Sequence, residues 1–283
     1  MNTIPRKIAN IITPQPVVEG AGVRLKRSIA TRTLDYLDPF LLLDHFQSKN
    51  PADYKAGFPL HPHRGIETVT YLLAGAVRHR DTLGNSGEIT AGDIQWMTAG
   101  RGIMHEEMPQ VRPEGVAGFQ LWVNLPAKLK MTTPRYQNIS AQEIPVLRRA
   151  ESVAIRVIAG IVDDVSGPIS GIAANPVYLD IEMFPRATFV HPVPRGHTAF
   201  AYVFEGAASF GAPEQTRIEQ PRLVVWTDGD MLEVKTEESS VRFLLVSGQP
   251  LGEPIARYGP FVMNTREEIE QTLRELEQGT FAT

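Results

Sequence analysis

Two short motifs in the first half of the chain carry side chains that can bind a metal ion. His61 and His63 are two positions apart, and so are His105 and Glu107. A β-strand points residues i and i+2 to the same face of a sheet. If both motifs are strands of one small barrel, three imidazoles and one carboxylate converge on a single interior point. The spacing therefore predicts a metal site.

The ligand types limit the choice of metal. Imidazole and carboxylate together suit Fe(II), Mn, Ni, Cu(II), Zn or Co, whereas Mg and Ca require more oxygen ligands. Two histidines and a carboxylate on one face of the ion, with open positions, is the arrangement of non-haem iron oxygenases. A third histidine leaves about two open octahedral positions, enough for a chelating substrate or for substrate plus dioxygen. We expect one divalent transition metal, with Fe(II) as the first choice.

The composition excludes several other kinds of chemistry. The chain has no cysteine, which rules out disulfides, thiolate nucleophiles and cysteine-based zinc sites. Its 28 basic and 32 acidic residues give a net charge of −4, so no overall field attracts nucleic acid or an anionic membrane. The amino terminus has no apolar run typical of a signal peptide, and no segment approaches about 18 consecutive apolar residues. We expect a cytoplasmic protein.

Short strands separated by turns must position the two motifs. The chain contains 23 glycines and 22 prolines, and they punctuate short apolar runs throughout. Alternation of β-branched and aromatic residues predicts a strand that leads away from the histidine pair, and the Gly92-Asp93 turn leads towards His105. The predicted strands and buried runs are residues 23–30, 38–46, 66–73, 77–81, 94–97 and 119–125, with a loop at 49–59 and a connector at 128–145.

The second half of the chain repeats the pattern of the first. Residues 196–206 align with residues 65–75, with glycine at both ends and tyrosine in the same place, and Gly229-Asp230 repeats the glycine–aspartate turn. Such self-similarity predicts two copies of one all-β unit.

The second copy lacks the four candidate ligands. At the offset of the repeat, His61 and His63 fall on Pro192 and Pro194, while His105 and Glu107 fall near positions 242 and 244, which are Arg242 and Leu244. Two histidines remain in this half, His191 and His197, and we interpret both as surface or turn residues because no carboxylate accompanies them.

The chain closes with one predicted helix. Thr265 and Glu268 form a capping box, and Gly279 supplies the stop signal. An apolar stripe at helical spacing is formed by Ile269, Leu273 and Leu276. We expect this helix to cover the flank of a barrel.

Four stretches resemble the pirin family of the cupin superfamily: HPHRGIETVTYLL, GDIQWMTAGRGIMHEEMP, FQLWVNLPAK and GPFVMNTREEI. The resemblance covers essentially the full length. It implies an all-β fold of two tandem cupin barrels (double-stranded β-helix, or jelly roll) with a carboxyl-terminal helix. Residues 1–135 would form the metal-binding barrel, and residues 136–283 the barrel without ligands, including the helix. In that family the four ligands correspond to His61, His63, His105 and Glu107.

A second carboxylate competes for the ligand position. A common cupin places its carboxylate four residues after the second histidine, which here is Glu67, and Glu67 shares strand parity with His61 and His63. Both carboxylates could face inward, and we prefer Glu107 as the ligand with Glu67 beside the ligands. The other predicted pocket neighbours are Phe58, Arg64, Trp96, Met97 and Met104, of which Trp96 and Met97 suit a core equally well.

The resemblance implies two activities of different classes. The first is quercetin 2,3-dioxygenase, in which dioxygen opens the central ring of a flavonol with loss of carbon monoxide, and Glu107 takes the proton of the 3-hydroxyl group. The second is an iron-dependent binding protein that regulates transcription or a metabolic enzyme. Other cupin chemistry stays open because a fold does not fix a function.

The two activities imply different partners. Catalysis requires a flavonol-like small molecule and dioxygen, whereas regulation requires a protein partner. Arg24, Lys26 and Arg27 could form a basic surface for such a partner, and the competing interpretation is an edge strand kept soluble by its charges. Since the second barrel supplies a neighbour within the chain, we expect a monomer.

Overall fold

The computed structural model describes residues 3–281, and most of these residues lie in short β-strands. The first strands in chain order are β1 (Ile8–Ile12), β2 (Gln15–Glu19), β3 (Val23–Ile29), β4 (Phe40–Ser48), β5 (Phe58–His63), β6 (Ile66–Ala74), β7 (Ala76–Asp81), β8 (Ser86–Thr90), β9 (Ile94–Thr98), β10 (Ile103–Gln110), β11 (Val116–Asn124) and β12 (Arg135–Ile139). Single 3-10 turns occupy Pro51–Asp53, Ala127–Leu129 and Ala141–Glu143.

The second half continues the pattern and ends in a helix. Its elements are β13 (Val146–Arg149), β14 (Val153–Ala159), β15 (Ile161–Val162), β16 (Val165–Ser166), β17 (Val177–Met183), β18 (Thr188–Pro192), β19 (Thr198–Phe210), β20 (Thr216–Glu219), β21 (Arg222–Trp226), β22 (Met231–Lys235), β23 (Val241–Gly248), β24 (Ala256–Tyr258), β25 (Phe261–Met263) and α1 (Arg266–Glu277). The predicted all-β class with one helix is confirmed.

The chain folds into two compact units that exchange their ends. Residues 15–141 group with residues 251–281, which we call the first barrel, and residues 3–14 group with residues 142–250, which we call the second barrel. The sequence-based boundaries placed the helix with the second barrel and the amino terminus with the first. In the structure the helix belongs to the first barrel and the amino-terminal segment to the second, because each segment is bonded to the barrel that it joins.

Buried side chains hold both exchanged ends. In the second barrel, β1 pairs antiparallel with β21, and the buried Arg6 guanidinium donates hydrogen bonds to four backbone carbonyl groups. In the first barrel, Arg64 donates to the Thr272 hydroxyl at 3.1 Å and forms an ion pair with Glu275 at 2.7 Å, both on α1. A residue far along the chain thus fixes each terminus, which sequence spacing does not reveal.

The helix itself forms as the sequence predicts. The Thr265 hydroxyl accepts a bond from the Glu268 amide at 3.2 Å, and the Glu268 carboxylate accepts one from the Thr265 amide at 2.9 Å. This capping box satisfies amide groups that an isolated helix end leaves unpaired. The apolar stripe of α1 packs with Phe261 and Met263 of β25 and with Phe281.

Two sheets form the first barrel. One has the strand order β12-β9-β6-β11-β4-β3-β2, and the other has the order β5-β10-β7-β8. The smaller sheet carries both histidine motifs on adjacent strands. Because β3 lies between β2 and β4, it is an interior strand, and the interpretation of Arg24 and Lys26 as edge-strand charges is wrong.

The second barrel has an apolar interior. Its main sheet has the order β1-β21-β19-β23-β17-β14-β13, with β18, β20 and β22 attached. The core contains large side chains, among them Phe189, Phe210, Trp226, Leu232 and Phe243. Within the described residues, the three histidines of the first barrel are the one group placed to hold an ion.

The register of β18 corrects the alignment of the repeat. In the first barrel His61 lies opposite His105, and in the second barrel His191 lies opposite Leu232. Pro192, which the ungapped alignment sets on His61, is exposed on β18, whereas His191 next to it faces inward. By strand pairing, β23, which carries Arg242, corresponds to β11. The loop after β18 is longer than the loop after β5, so an ungapped alignment loses the register.

His191 is therefore an interior residue, contrary to the sequence-based interpretation. It is 4% exposed, and its ring stacks on Phe189 with centroids 5.9 Å apart. Its pKa is lowered to about 4, mainly by burial and then by the positive charge of Arg149, while Asp163 opposes the shift. His197 is half-buried in the turn before β19.

This buried histidine predicts a pH dependence of stability. Between pH 6.5 and pH 4 the unfolded chain binds a proton that folded His191 refuses, so the free energy of unfolding falls as the pH falls. His191→Phe keeps a stacked ring and removes the titration. Between pH 7 and pH 4.5 we expect the free energy of unfolding of the variant to fall by about 2 kcal/mol less than that of the wild type. Urea unfolding of the metal-free proteins measures this difference, and equal losses would contradict it.

Candidate metal centre

Strand pairing brings the two histidine motifs together. His61 and His63 end β5, and His105 lies on β10 directly opposite His61. Along β10, His105 and Glu107 are buried, whereas Glu106 faces outward and forms an ion pair with Arg80. A bulge in the pairing after His105 sets Glu107 opposite Phe58. The alternation of a strand therefore turns the histidines and Glu107 to the inside.

The three imidazoles meet at one point. The Nε2 atoms of His61 and His63 lie 3.0 Å apart, and the His105 ring centroid lies 4.5 Å from that of His61 and 5.1 Å from that of His63. One ligand nitrogen from each ring lies within 4.8 Å of the others. Two nitrogens bound at a right angle to one ion, each at about 2.1 Å, are separated by about 3 Å. The cluster thus fits a single transition-metal ion.

The hydrogen bonds of the cluster leave its nitrogens available as ligands. His61 donates its Nδ1 proton to the Pro59 carbonyl at 2.9 Å, which fixes the tautomer and leaves a lone pair on Nε2. His105 is 1% exposed, and neither of its ring nitrogens has a partner among the described residues. Buried polar atoms are nearly always paired, so these orphaned nitrogens indicate a site for a ligand atom that is not part of the chain.

The electrostatics of the cluster favour neutral rings. Burial lowers the pKa of His63 and of His105 well below the usual value, and the neighbouring histidines lower both further. A neutral imidazole is the form that binds a metal ion. The cluster is therefore ready to accept a cation at neutral pH without first losing a proton.

Glu107 lies beside the imidazoles and lines the same cavity as His61 and His63. The Thr70 hydroxyl donates to its carboxylate at 2.9 Å, and burial raises the pKa of this carboxyl, with His61 opposing the shift. The group of ligand atoms that lie within 4.8 Å of one another contains the three histidines and not Glu107. Its assignment as the fourth ligand stays a prediction.

Glu67, the alternative carboxylate, is almost completely buried on β6 at 1% exposure. It accepts a hydrogen bond from the Thr98 hydroxyl at 2.7 Å, and burial raises its pKa to about 7. It does not line the cavity beside the histidines. Glu107 is thus the better placed of the two carboxylates to touch a substrate.

A cavity of about 610 Å³ opens beside the cluster. Phe58 and Trp122 form aromatic parts of its wall, and the Trp122 ring lies 5.1 Å from the His63 ring, edge to face. Arg27 forms a polar part of the wall: it bonds both carboxylate oxygens of Asp44, at 2.8 and 2.7 Å, and Glu19 at 2.8 Å. An aromatic molecule with polar substituents suits such a cavity.

Of the six predicted neighbours other than the histidines and Glu107, only Phe58 lines the cavity. Trp96 and Met97 are core residues at 1% and 0% exposure. Met104 lies on the other face of β10 and packs with the α1 cluster, and Arg64 bonds α1 itself. With Glu67, these are the neighbours that the structure places outside the cavity. Proximity along the chain misled the prediction, because adjacent strand residues face opposite sides.

Sequence reasoning missed several residues around the cluster. Trp122 and Gln120 line the cavity from β11, and their i, i+2 spacing was a signal that could have found them. His79 is buried on β7 opposite Glu107 and stacks on Tyr136. Arg257 lines the cavity from the carboxyl-terminal segment, and no local pattern announces it.

The three basic residues of β3 do not share one surface. Arg24 and Lys26 face outward, and Arg24 lies 3.4 Å from Asp53. Arg27 has the opposite parity and is bonded in the cavity wall. The predicted partner surface therefore loses one of its three charges.

The fold and the cluster define a two-cupin protein with a three-histidine candidate metal site in its first barrel. The family model described as Pirin matches residues 22–123, and the model described as Pirin C-terminal cupin domain matches residues 178–282. The chain belongs to the pirin family, and the resemblance inferred from its motifs is confirmed.

Full-length relatives share this architecture. A pirin-like protein of Caulobacter vibrioides is 42% identical over 277 residues, covering 98% of this chain and 99% of the relative. Human pirin is 41% identical over 271 residues, covering 95% of this chain and 91% of the relative. The crystal structure of a quercetin 2,3-dioxygenase from Acinetobacter baumannii is 35% identical, covers 98% of this chain and 99% of its own, and superimposes with a TM-score of 0.88. In the part of the chain that the structure describes, no helix has the length and apolar character needed to span a membrane.

Proposed function

We propose that this protein is a metal-dependent dioxygenase that opens the central ring of flavonols such as quercetin with dioxygen and releases carbon monoxide. The observation that carries the proposal is the cluster of three imidazoles, two of them buried and with orphaned nitrogens, at the wall of the cavity. The cavity volume of about 610 Å³ falls within the range of small-molecule sites. The name of the Acinetobacter baumannii structure, a quercetin 2,3-dioxygenase, supports the choice of substrate class.

The reaction balances without another reactant. Two carbon–carbon bonds of the central ring break, on either side of the carbon that bears the 3-hydroxyl group. That carbon leaves with its oxygen as carbon monoxide. The two atoms of dioxygen end on the two flanking carbons, which become the ester and carboxyl carbons of the product.

Each part of the site has a role in this reaction. His61, His63 and His105 would hold a divalent transition metal, which would supply Lewis-acid and redox chemistry towards the flavonol and dioxygen. Glu107 takes the proton of the 3-hydroxyl group, since its buried carboxylate has a raised pKa and lies in the cavity wall. The Thr70 hydroxyl holds that carboxylate in place. The aromatic wall of Phe58 and Trp122 orients a flat substrate and excludes water.

A direct assay tests the proposal. The full-length protein is loaded separately with Fe(II), Mn(II), Ni(II), Cu(II), Zn(II) or Co(II) and mixed with quercetin in air. With at least one of these metals we expect the flavonol absorption band to bleach, with one carbon monoxide released for each flavonol consumed. The same mixture without dioxygen is the control and should keep its colour. Intact quercetin with every metal, in protein shown to contain one ion per chain, would contradict the proposal.

A further inference from the structure

Arg257 lines the same cavity as His61 and His63. Its guanidinium carbon lies 5.2 Å above the Trp122 ring, and the Trp122 ring also packs edge to face with His63. Trp122 therefore contacts both a guanidinium group and a histidine of the candidate metal centre. A ligand that lies along Trp122 in the cavity can reach both groups.

The segment that carries Arg257 is held firmly in the first barrel. Arg257 on β24 lies opposite Val262 on β25. The buried Lys130 ammonium donates to the Val262 carbonyl at 2.8 Å, to the Gly65 carbonyl at 2.9 Å and to the Asn124 side chain at 2.8 Å. Gly65 follows the His61–His63 motif by two residues. One ammonium group thus ties the support of Arg257 to the end of the strand that bears the metal-binding histidines.

Arg257 makes only weak hydrogen bonds within the protein itself. Its Nε and Nη1 atoms reach the carbonyl groups of Gly259 and Leu41 at a long 3.4 Å each, and it forms no ion pair at contact distance with any described carboxylate. Arg257 is an exposed residue at the cavity wall, and the partial burial of its guanidinium lowers its pKa. The positive charge of Arg27 also lowers it, and Asp35, Asp44 and Glu19 oppose the shift. A guanidinium group has five N–H donors, so most of those on Arg257 are free for a ligand.

The other arginine of the cavity, Arg27, is by contrast bonded to carboxylates of the protein. Arg27 uses three donors on Asp44 and Glu19 at 2.7 to 2.8 Å. Those two carboxylates are bonded to Arg27, and neither forms an ion pair at contact distance with Arg257. Charge-assisted bonds between arginine and a carboxylate are among the stronger polar contacts in proteins. An anionic group on a ligand can therefore bind the donors of Arg257, whereas Arg27 is already bonded to two carboxylates.

We propose that Arg257 is a specificity-determining residue that binds an anionic oxygen group of the substrate in the cavity beside Trp122. The inference rests on the proposed function, in which the metal chelates one part of the substrate. It defines the substrate class more narrowly: an aromatic chelator that carries a second, acidic group. An uncharged flavonol is accepted by the same cavity but lacks this contact.

A matched pair of ligands tests the inference. The first is 3-hydroxyflavone with a carboxylate at its 4′ position, and the second is its uncharged methyl ester. Binding to the metal-loaded, full-length protein is followed without dioxygen by the shift of the flavonol absorption band. We expect the wild type to bind the carboxylate at least about tenfold more tightly than the ester, as one charge-assisted contact allows. Increasing salt should reduce this preference.

Variants locate the preference on one side chain. Arg257→Gln should remove it, and Arg257→Lys should retain part of it, because lysine keeps the charge and loses the planar pair of donors. Arg217→Gln, which removes an equal charge from the surface pair of Arg217 with Glu219 in the second barrel, should keep the full preference.

Two results would overturn the inference: equal affinities for the two ligands in the wild type, or a preference that survives Arg257→Gln. The assay also separates this inference from the proposed function. A charge preference together with intact quercetin under every metal would leave Arg257 assigned and refute the dioxygenase. Ring opening of both ligands without a preference would do the reverse.

Discussion

His105→Ala is expected to abolish metal binding at micromolar metal and, with it, flavonol turnover. His105 is 1% exposed, and both of its nitrogens lack partners in the described structure. The free-energy cost of removing these nitrogens from water is therefore offset only when an ion binds. Loss of a group that merely supports a metal ligand costs about 10- to 100-fold in metal affinity. Loss of a ligand itself should therefore exceed a hundredfold.

The measurement is the metal content of each protein after dialysis against buffer with a fixed low concentration of Fe(II) or Ni(II). His105→Gln preserves more of the side-chain volume and guards against a folding defect in the alanine variant. His45→Ala is the matched control, because His45 is also buried in the first barrel but stacks on Phe119 outside the cluster. One ion per chain in both His105 variants would refute the role of His105.

Glu107→Gln is expected to keep the metal and to lower flavonol turnover by about 10²- to 10⁴-fold, the usual contribution of a general base. Glutamine has nearly the same shape and can still accept the hydrogen bond from Thr70, but it cannot accept the substrate proton. The residual rate should rise with pH, since the flavonol then ionises in solution and no longer needs the base.

Steady-state turnover and metal content, measured on the same samples, check this expectation. Glu106→Gln is the control: Glu106 is next in the chain but points outward to Arg80, and its replacement should leave turnover unchanged. If Glu107→Gln retains both its metal and full turnover, the assignment of Glu107 as the base is wrong. If it loses the metal, Glu107 is a ligand in addition to any role as a base.

The sequence predicted the parts of the site that depend on local geometry. Strand parity placed His61, His63 and His105 on inner faces, because the alternation of a strand needs no knowledge of the rest of the fold. The capping box of α1 was predictable for the same reason: Thr265 and Glu268 act within one helical turn. In both cases the signal and the structure it specifies lie within a few residues.

Features that depend on distant pairing were not predictable. Arg257 enters the cavity because its hairpin is bonded to Lys130, more than a hundred residues earlier in the chain. The domain boundaries failed at both ends because Arg6 and Arg64 bind partners across the sequence. The alignment of the two repeats set the exposed Pro192 in the place of His61, because one loop is longer in the second barrel. Each of these outcomes is decided by contacts that sequence spacing does not encode.

Anomalous diffraction from crystals of the full-length protein grown with Fe(II) or Ni(II) tests the central claim most directly. The account predicts one anomalous peak in each chain, at bonding distance from a nitrogen of His61, His63 and His105 and open towards the cavity that Trp122 lines. A map without such a peak, or with the ion bound elsewhere and the three rings apart, would contradict it.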